Sequence, residues 1–247
     1  MFRRRRPMTS PSGSPVYRHT PGQHGFRAPA EPSARRDALD AHVARFLGED
    51  YTVWHEVISD LVHLDVYMWR PNEARPLFTF MTVGMSDLPM STPHELSKQG
   101  LTPYAELMLS LPADWPVPTG SDAVIPWDDE NAYFPVRALK SLGRLPHEYG
   151  TWLGFGHTVP NGDPPEPVCD GTDLVSWLVL PPMTLSPEFR TVSSPDGMVD
   201  IMALVAITAD ELDLKLRAGV DALFDGFDAF GVSEILDVRR ASSLRRP

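Results

Sequence analysis

Cysteine is nearly missing, with Cys169 the only one in 247 residues. An intrachain disulfide is therefore impossible, and a zinc site built on cysteine thiolates is excluded. No apolar run approaches the roughly 20 residues that a membrane helix requires. Basic charge is also scarce: 22 Lys and Arg stand against 33 Asp and Glu, a formal net charge of -11. Like charge repels phosphate, so such a chain is a poor default binder of nucleic acid or of an anionic membrane. No internal repeat is visible. What is present is 42% hydrophobic and 22% charged residues, enough apolar surface for a core. The length suits one large domain or two small ones. These numbers do not by themselves identify a function.

Charge is unevenly spread. Residues 1–36 hold eight arginines and one acid, a net of +7, which leaves fourteen basic and thirty-two acidic residues, -18, on the rest. The opening segment has six prolines and few apolar side chains. It cannot bury enough surface to offset its ordering entropy, so it reads as a disordered Arg/Pro-rich arm. Phe2 to Arg6 is either a patch for nucleic acid or lipid or simply a solvated arm, and Met8 is an alternative start. A secretory signal would need an apolar stretch after the positive start, and none follows; an Arg-rich, acid-poor transit peptide is a further reading.

Order is expected to begin near Asp37. Leu39, Val43, Phe46 and Leu47 share one helical face, with Asp37 as cap and Gly48 as stop. Leu61 to Trp69 alternates as a strand, placing His63, Asp65, Tyr67 and Trp69 on one face and Leu64, Val66 and Met68 on the other. Leu77 to Val83 and Tyr104 to Leu111 read as two more strands, and the three suggest an antiparallel sheet. A loop over about 112–131 leads to a helix with Pro135 in its first turn and Pro146 as its stop. Residues 151–155, 174–180 and 199–207 read as strands. Thr208-Ala209-Asp210-Glu211 has the capping-box form and opens a helix. Val220, Leu223, Phe224 and Phe227 make the apolar stripe of the next one, closed by Gly231. Glu234 to Val238 reads as a last strand, and residues 241–247 as a basic tail. The order predicts one α+β domain over 37–240, a mixed and mainly antiparallel sheet flanked by helices.

Residue types and spacing bear on several chemistries. His55-Glu56 begins like a zincin motif, but Ser59 stands where the second histidine belongs. His63 and Asp65 share a strand face with His55 near in sequence, a donor set for iron or zinc; Tyr67 and Trp69 continue that face, which favours packing and no metal. Gly84-Met85-Ser86-Asp87 lacks the second glycine of a nucleophile elbow. Ser86, Asp87 and His147 or His157 supply triad types, which any chain this size contains. Asp87 is equally a turn or capping residue. Cys169 with a distant histidine is a weak nucleophile candidate. Gly150, Gly154 and Gly156 precede prolines with no lysine, against a phosphate loop. A hydrolase or metal-dependent enzyme thus remains only as an alternative that needs His55, His63, Asp65, Asp87, His147 or His157 to converge. Edge strands that accept a peptide, and an acidic surface that steers a basic partner, need no catalytic residue.

Several segments in order carry a resemblance. Trp54 to Val66, Arg75 to Met90, Ala105 to Pro112 followed by Trp115, Leu145 to Pro160 and Ile201 to Leu212 together resemble the suppressor-of-fused domain family, over about 50–240. The resemblance implies a single α+β domain with a sheet flanked by helices. It implies no catalytic residues and no cofactor. Animal members bind a transcription factor of the Hedgehog pathway between this domain and a second, C-terminal one; only a short basic tail follows residue 240 here, so those contacts are not carried over. Bacterial members are commonly single domains, many of them held to be immunity proteins against polymorphic toxins, and the Ala, Arg, Pro and Asp usage suits a GC-rich bacterium. The reading is a non-enzymatic protein-binding domain, an immunity protein in its sharper form, with a regulatory binder of an endogenous transcription factor as the alternative. The candidate binding face is Ser86, Asp87, Met90, His147, Trp152, His157 and Asn161, from the Gly84 to Met90 loop and the Tyr149 to Asn161 stretch. Nucleic acid would enter only through the N-terminal arm.

Overall fold

A computed structural model describes residues 8–19, 28, 33–56, 60–98, 100–118 and 125–245. Phe2 to Arg6, most of the remaining arm and Ser59 lie outside these. Among the described residues no helix is long and apolar enough to cross a membrane.

The described residues hold ten strands. They are β1 (Met8–Thr9), β2 (Pro15–Val16), β3 (Tyr51–Trp54), β4 (Asp65–Trp69), β5 (Leu77–Val83), β6 (Ala105–Pro112), β7 (Thr158–Pro160), β8 (Leu174–Leu180), β9 (Thr191–Ser194) and β10 (Gly197–Thr208). The helices are α1 (Ala34–Leu47), α2 (His94–Lys98), α3 (Glu130–Tyr149), α4 (Ala209–Ala218) and α5 (Phe224–Phe230). One sheet runs β3-β4-β5-β6-β10-β8-β7, with β9 also on β10. Every pairing in it is antiparallel except β6 with β10, where Ala105 to Met108 meet Asp200 to Ala203 in parallel. The class is α+β with a mainly antiparallel sheet flanked by helices, as the sequence pattern implies.

Alternation decides what each face buries. Val66 and Met68, Phe78 and Phe80, Leu107, Leu109 and Leu111, Trp177 and Val179, and Leu204 pack on the apolar side of α3. Tyr67, Trp69, Met81, Met108, Ile201 and Ala203 meet Leu39 and Val43 of α1. Further along the same face, Leu178, Leu180, Val205 and Ile207 meet Leu212 of α4 and Phe227 of α5. The sheet is therefore covered on both sides, and each such fully buried side chain contributes about 1.5–3 kcal/mol over an exposed one.

Local departures from the sequence expectation have identifiable causes. Helix α1 starts at Ala34 after Ser33, not near Asp37, because Arg35 and Arg36 bind inside the fold. Strand β4 starts at Asp65, since Leu61 takes a positive φ of 67° and breaks the extended run. Pro146 does not stop α3: it is buried in the helix, which continues to Tyr149 and ends on left-handed Gly150. Residues 151–155 form no strand; Gly156, at φ 75°, turns the chain before β7. Glu234 to Val238 makes one parallel bridge, Ile235 with Ser110, and no strand. β3 and β9 are short segments that periodicity did not single out. Within the arm, β1 and β2 form a ribbon. The basic tail is partly inside: Ser242 and Ser243 are buried, and Arg240, just before it, pairs with the buried Glu211 at 2.6 Å.

Candidate functional site

The turn after β5 is built around one carboxylate. Glu106, on β6, is fully buried. It accepts hydrogen bonds from the Thr82 hydroxyl at 2.6 Å, the Gly84 amide at 3.1 Å, the Ser86 amide at 3.0 Å and the Ser86 hydroxyl at 2.7 Å. Burial pushes its carboxyl up to about 7, against the pull of the Thr82, Ser86 and Gly84 hydrogen bonds. Gly84 sits at φ 116°, and a Cβ there would lie 2.0 Å from the His63 carbonyl oxygen, so only glycine fits this close pass. Arg35 donates to the Ser86 carbonyl at 2.9 Å and covers the Tyr104 ring. Arg36 pairs with Asp87 at 2.9 Å, and Asp87 also accepts from the Ser33 amide and hydroxyl.

The triad types are engaged elsewhere in this hub. Ser86 is 1% exposed, and its hydroxyl donates to Glu106. Asp87 serves Arg36 and the cap of α1. His147 hydrogen-bonds the Met85 carbonyl through Nε2 at 3.0 Å, and burial pulls its pKa down. No Ser–His–Asp relay is assembled from these residues. Burial, with Asp170 adding, raises the Cys169 thiol, the opposite of an activated nucleophile.

The two segments of the candidate face do come together. The Ser91 amide donates to the Thr151 carbonyl, and the Leu153 amide to Met90 Sδ at 3.4 Å. Ser86, Asp87 and Met90 are buried, however, and hold the loop from inside. Between Met90, Leu101, Leu153, Phe155, Pro181 and Met202 lies a groove of about 220 Å³. Phe155, at its rim, is 56% exposed. Next to it Trp152 packs edge-on against His157, with ring centroids 5.3 Å apart. Burial, then the nearby Lys215 charge, lowers the His157 pKa. Asn161 is exposed, but its amide holds the Glu166 and Pro167 carbonyls and so closes the 160–167 loop. The ribbon from the arm reaches this face: Tyr17 packs edge-on against Trp152 at 5.2 Å, and His19 lies against Tyr149.

His55, His63 and Asp65 also converge, with one ligand atom from each within 4.8 Å of the others. Residue types suggested this set, and β pairing supplies the geometry. Sequence reasoning missed Glu106, Arg35 and Arg36. The one available signal was Glu106 itself, a lone carboxylate in the otherwise apolar run from Ala105 to Leu109.

A sheet sandwiched between α3 and the α1/α4/α5 layer, with a polar hub under the turn after β5, defines an α+β domain without an assembled catalytic relay at the expected positions. The family model for suppressor of fused protein matches residues 60–241, about three quarters of the chain, and the chain belongs to that family. Solved structures share the fold. A suppressor-of-fused homologue from Neisseria gonorrhoeae FA 1090 is 16% identical with a TM-score of 0.60, covering 86% of this chain and 98% of that one. A Sufu–Fu complex gives 16% identity and a TM-score of 0.60 over 86% of this chain and 93% of that one. Drosophila Suppressor of Fused gives 18% and 0.52 over 85% of this chain but 50% of that one, so this chain spans about half the fly protein. No curated protein matches the chain.

Proposed function

We propose that this chain is a non-enzymatic, cytosolic protein-binding domain. The observation that carries the reading is its likeness to a chain solved in a Sufu–Fu complex, over 93% of that chain's length. The docking face proposed here is the groove beside Phe155 with the neighbouring Trp152 and His157. It offers an apolar slot and an exposed aromatic rim, features common at interface centres.

In the sharper form of the proposal the chain is an immunity protein that neutralises a toxin. Its support is charge. Residues 37–247 carry -18, and counting Arg35 and Arg36 with the domain still leaves -16. A nuclease-type toxin presents a cationic active site, and an acidic inhibitor would reach it by electrostatic steering. The test is a pull-down of the full chain from native lysate at low and moderate salt, repeated with Phe155→Glu. The expected result is one basic partner, lost with Phe155→Glu and weakened by salt, whose gene adjoins this one and whose toxicity co-expression suppresses. A partner that is an endogenous transcription factor instead would overturn the immunity reading and keep the binding one. No partner at either salt would overturn both.

A further inference from the structure

The loop end of the β3–β4 hairpin gathers three metal-ligating side chains. The register pairs Trp54 with Val66, so the next residues outward, His55 and Asp65, stand opposite each other. His63 lies two residues before Asp65. We propose that His55 Nδ1, His63 Nε2 and Asp65 Oδ1 form a binding site for a divalent transition-metal ion, with zinc(II) the best fit.

The distances suit such an ion. His63 Nε2 is 3.2 Å and His55 Nδ1 3.5 Å from Asp65 Oδ1. Tetrahedral ligands at zinc's bond lengths stand about 3.3 Å apart. Two imidazoles and one carboxylate are a donor set that zinc and its first-row neighbours accept, and calcium or magnesium would want oxygen alone. Three protein ligands leave one coordination position to water or to an incoming group.

The surroundings hold the donors in place. The Glu56 amide donates to Asp65 Oδ1 at 3.1 Å, and the Leu64 amide donates to Glu56 Oε2 at 3.1 Å. Glu56 is itself paired with Arg144. These bonds close the loop between the two histidines at its base. The His63 carbonyl accepts from Arg36 Nη2 at 3.2 Å and abuts Gly84, which fixes the backbone that carries the imidazole. Arg36 Nη1 stands 3.9 Å from Asp65 Oδ2, so the other oxygen, Oδ1, is the one turned to the histidines. The Asp65 side chain is 6% exposed, that of His63 35% and that of His55 73%. The carboxylate is thus the buried base of the site, and His55 closes it from the solvent side. Arg36 and Lys140 also feel the Asp65 charge, which makes the site weaker than a four-ligand structural zinc site. This inference is independent of the protein-binding reading.

The experiment uses the full untagged chain, stripped with a chelator and titrated with zinc(II) by calorimetry. Cobalt(II) substitution gives a second readout in the visible ligand-field bands. The expected result is one zinc per chain. His55→Ala and His63→Ala should each lower affinity at least about tenfold, the scale set by losing even an outer-shell partner of a metal ligand. His55 is largely exposed, so its variant should keep the wild-type melting curve. The chain has eight histidines, and His94→Ala, an exposed residue on α2, should bind like the wild type. No stoichiometric uptake, uptake unchanged in both site variants, or an equal loss in His94→Ala would overturn the proposal.

Discussion

Glu106 and Glu211 are both fully buried glutamates, and both accept backbone amides, yet they are held in opposite ways. Glu106 receives its four hydrogen bonds from neutral donors. Burial wins, and its carboxyl rises to about 7. Burial also raises Glu211, but Arg240 donates to it twice, at 2.8 and 2.6 Å, and adds its charge. With the Ser243 and Thr208 amides this holds Glu211 below the usual carboxylate range. Neutral dipoles keep a buried acid in place; a counter-charge is what keeps it ionised. The difference also explains the ends of the domain. Arg240 additionally donates to the Ala206 carbonyl at 2.7 Å, so a residue expected just before a basic tail is a structural cation between α4 and β10.

The strongest way to break the comparison is to remove the counter-charge. Arg240→Ala leaves Glu211 buried and unpaired and should cost about 3–5 kcal/mol, read as a lower urea midpoint. The tail then loses its anchor, and protease should cut after residue 239 faster than in the wild type.

Next comes the frame around the other glutamate. Gly84→Ala forces a side chain at φ 116° into the His63 carbonyl and Arg36. The strain and displacement together should cost roughly 3 kcal/mol. A loss below about 1 kcal/mol in the same urea titration would show that the close pass relaxes freely.

The pH dependence sharpens the contrast. The folded pKa of Glu106 lies above its unfolded value, so the folded state binds the extra proton. Its contribution is fully present below about pH 4.5 and is lost as pH rises through about 7, a change of about 3 kcal/mol. Glu211 runs the other way. Its contribution is present above the ordinary glutamate range and is lost as pH falls through its depressed folded value. Glu106→Gln keeps the acceptor for Gly84 and Ser86 and should flatten the stability profile between pH 4.5 and 7, with a change of less than about 1 kcal/mol at pH 4.5. A wild-type profile already flat in that window would refute the neutral-donor account.

The smallest effect belongs to an exposed pair. Arg217 and Asp213 sit four residues apart on α4, 3.1 Å apart in solvent. Arg217→Ala should shift stability by no more than about 0.5 kcal/mol. Both pairs join an arginine to a carboxylate, and the difference in worth would then come from burial and from the second hydrogen bond that Arg240 gives Glu211.

Much of the fold was legible from periodicity. The aromatic and β-branched run Leu77 to Val83, the apolar run Leu174 to Leu180 and the Thr208–Glu211 capping box each became the expected element. Both faces of β4 carry large apolar side chains, in keeping with a sheet covered on two sides. Pro146 misled because a proline's cost of about 3 kcal/mol in a helix is a local quantity, and burial against the core can offset it. The candidate face was legible as two segments. That Met90 of one meets Leu153 of the other was not, since their contact crosses 63 residues. Ser86 and Asp87 looked like an exposed turn because small polar residues in a Gly-containing loop usually are. Here their polar groups are satisfied inside, by Glu106 and Arg36.

The sequence by itself determined the class: an α+β domain, its strand faces, the capping box of α4 and its membership in a family, since all of these depend on short-range patterns of side chains. The tertiary structure decided which charges are inside. Arg35, Arg36, Glu106, Glu211 and Arg240 look like any surface residues in a linear reading, because the free energy of a buried charge depends on partners that folding brings from far along the chain. For the same reason only the hairpin register could bring His55 opposite Asp65, with His63 alongside.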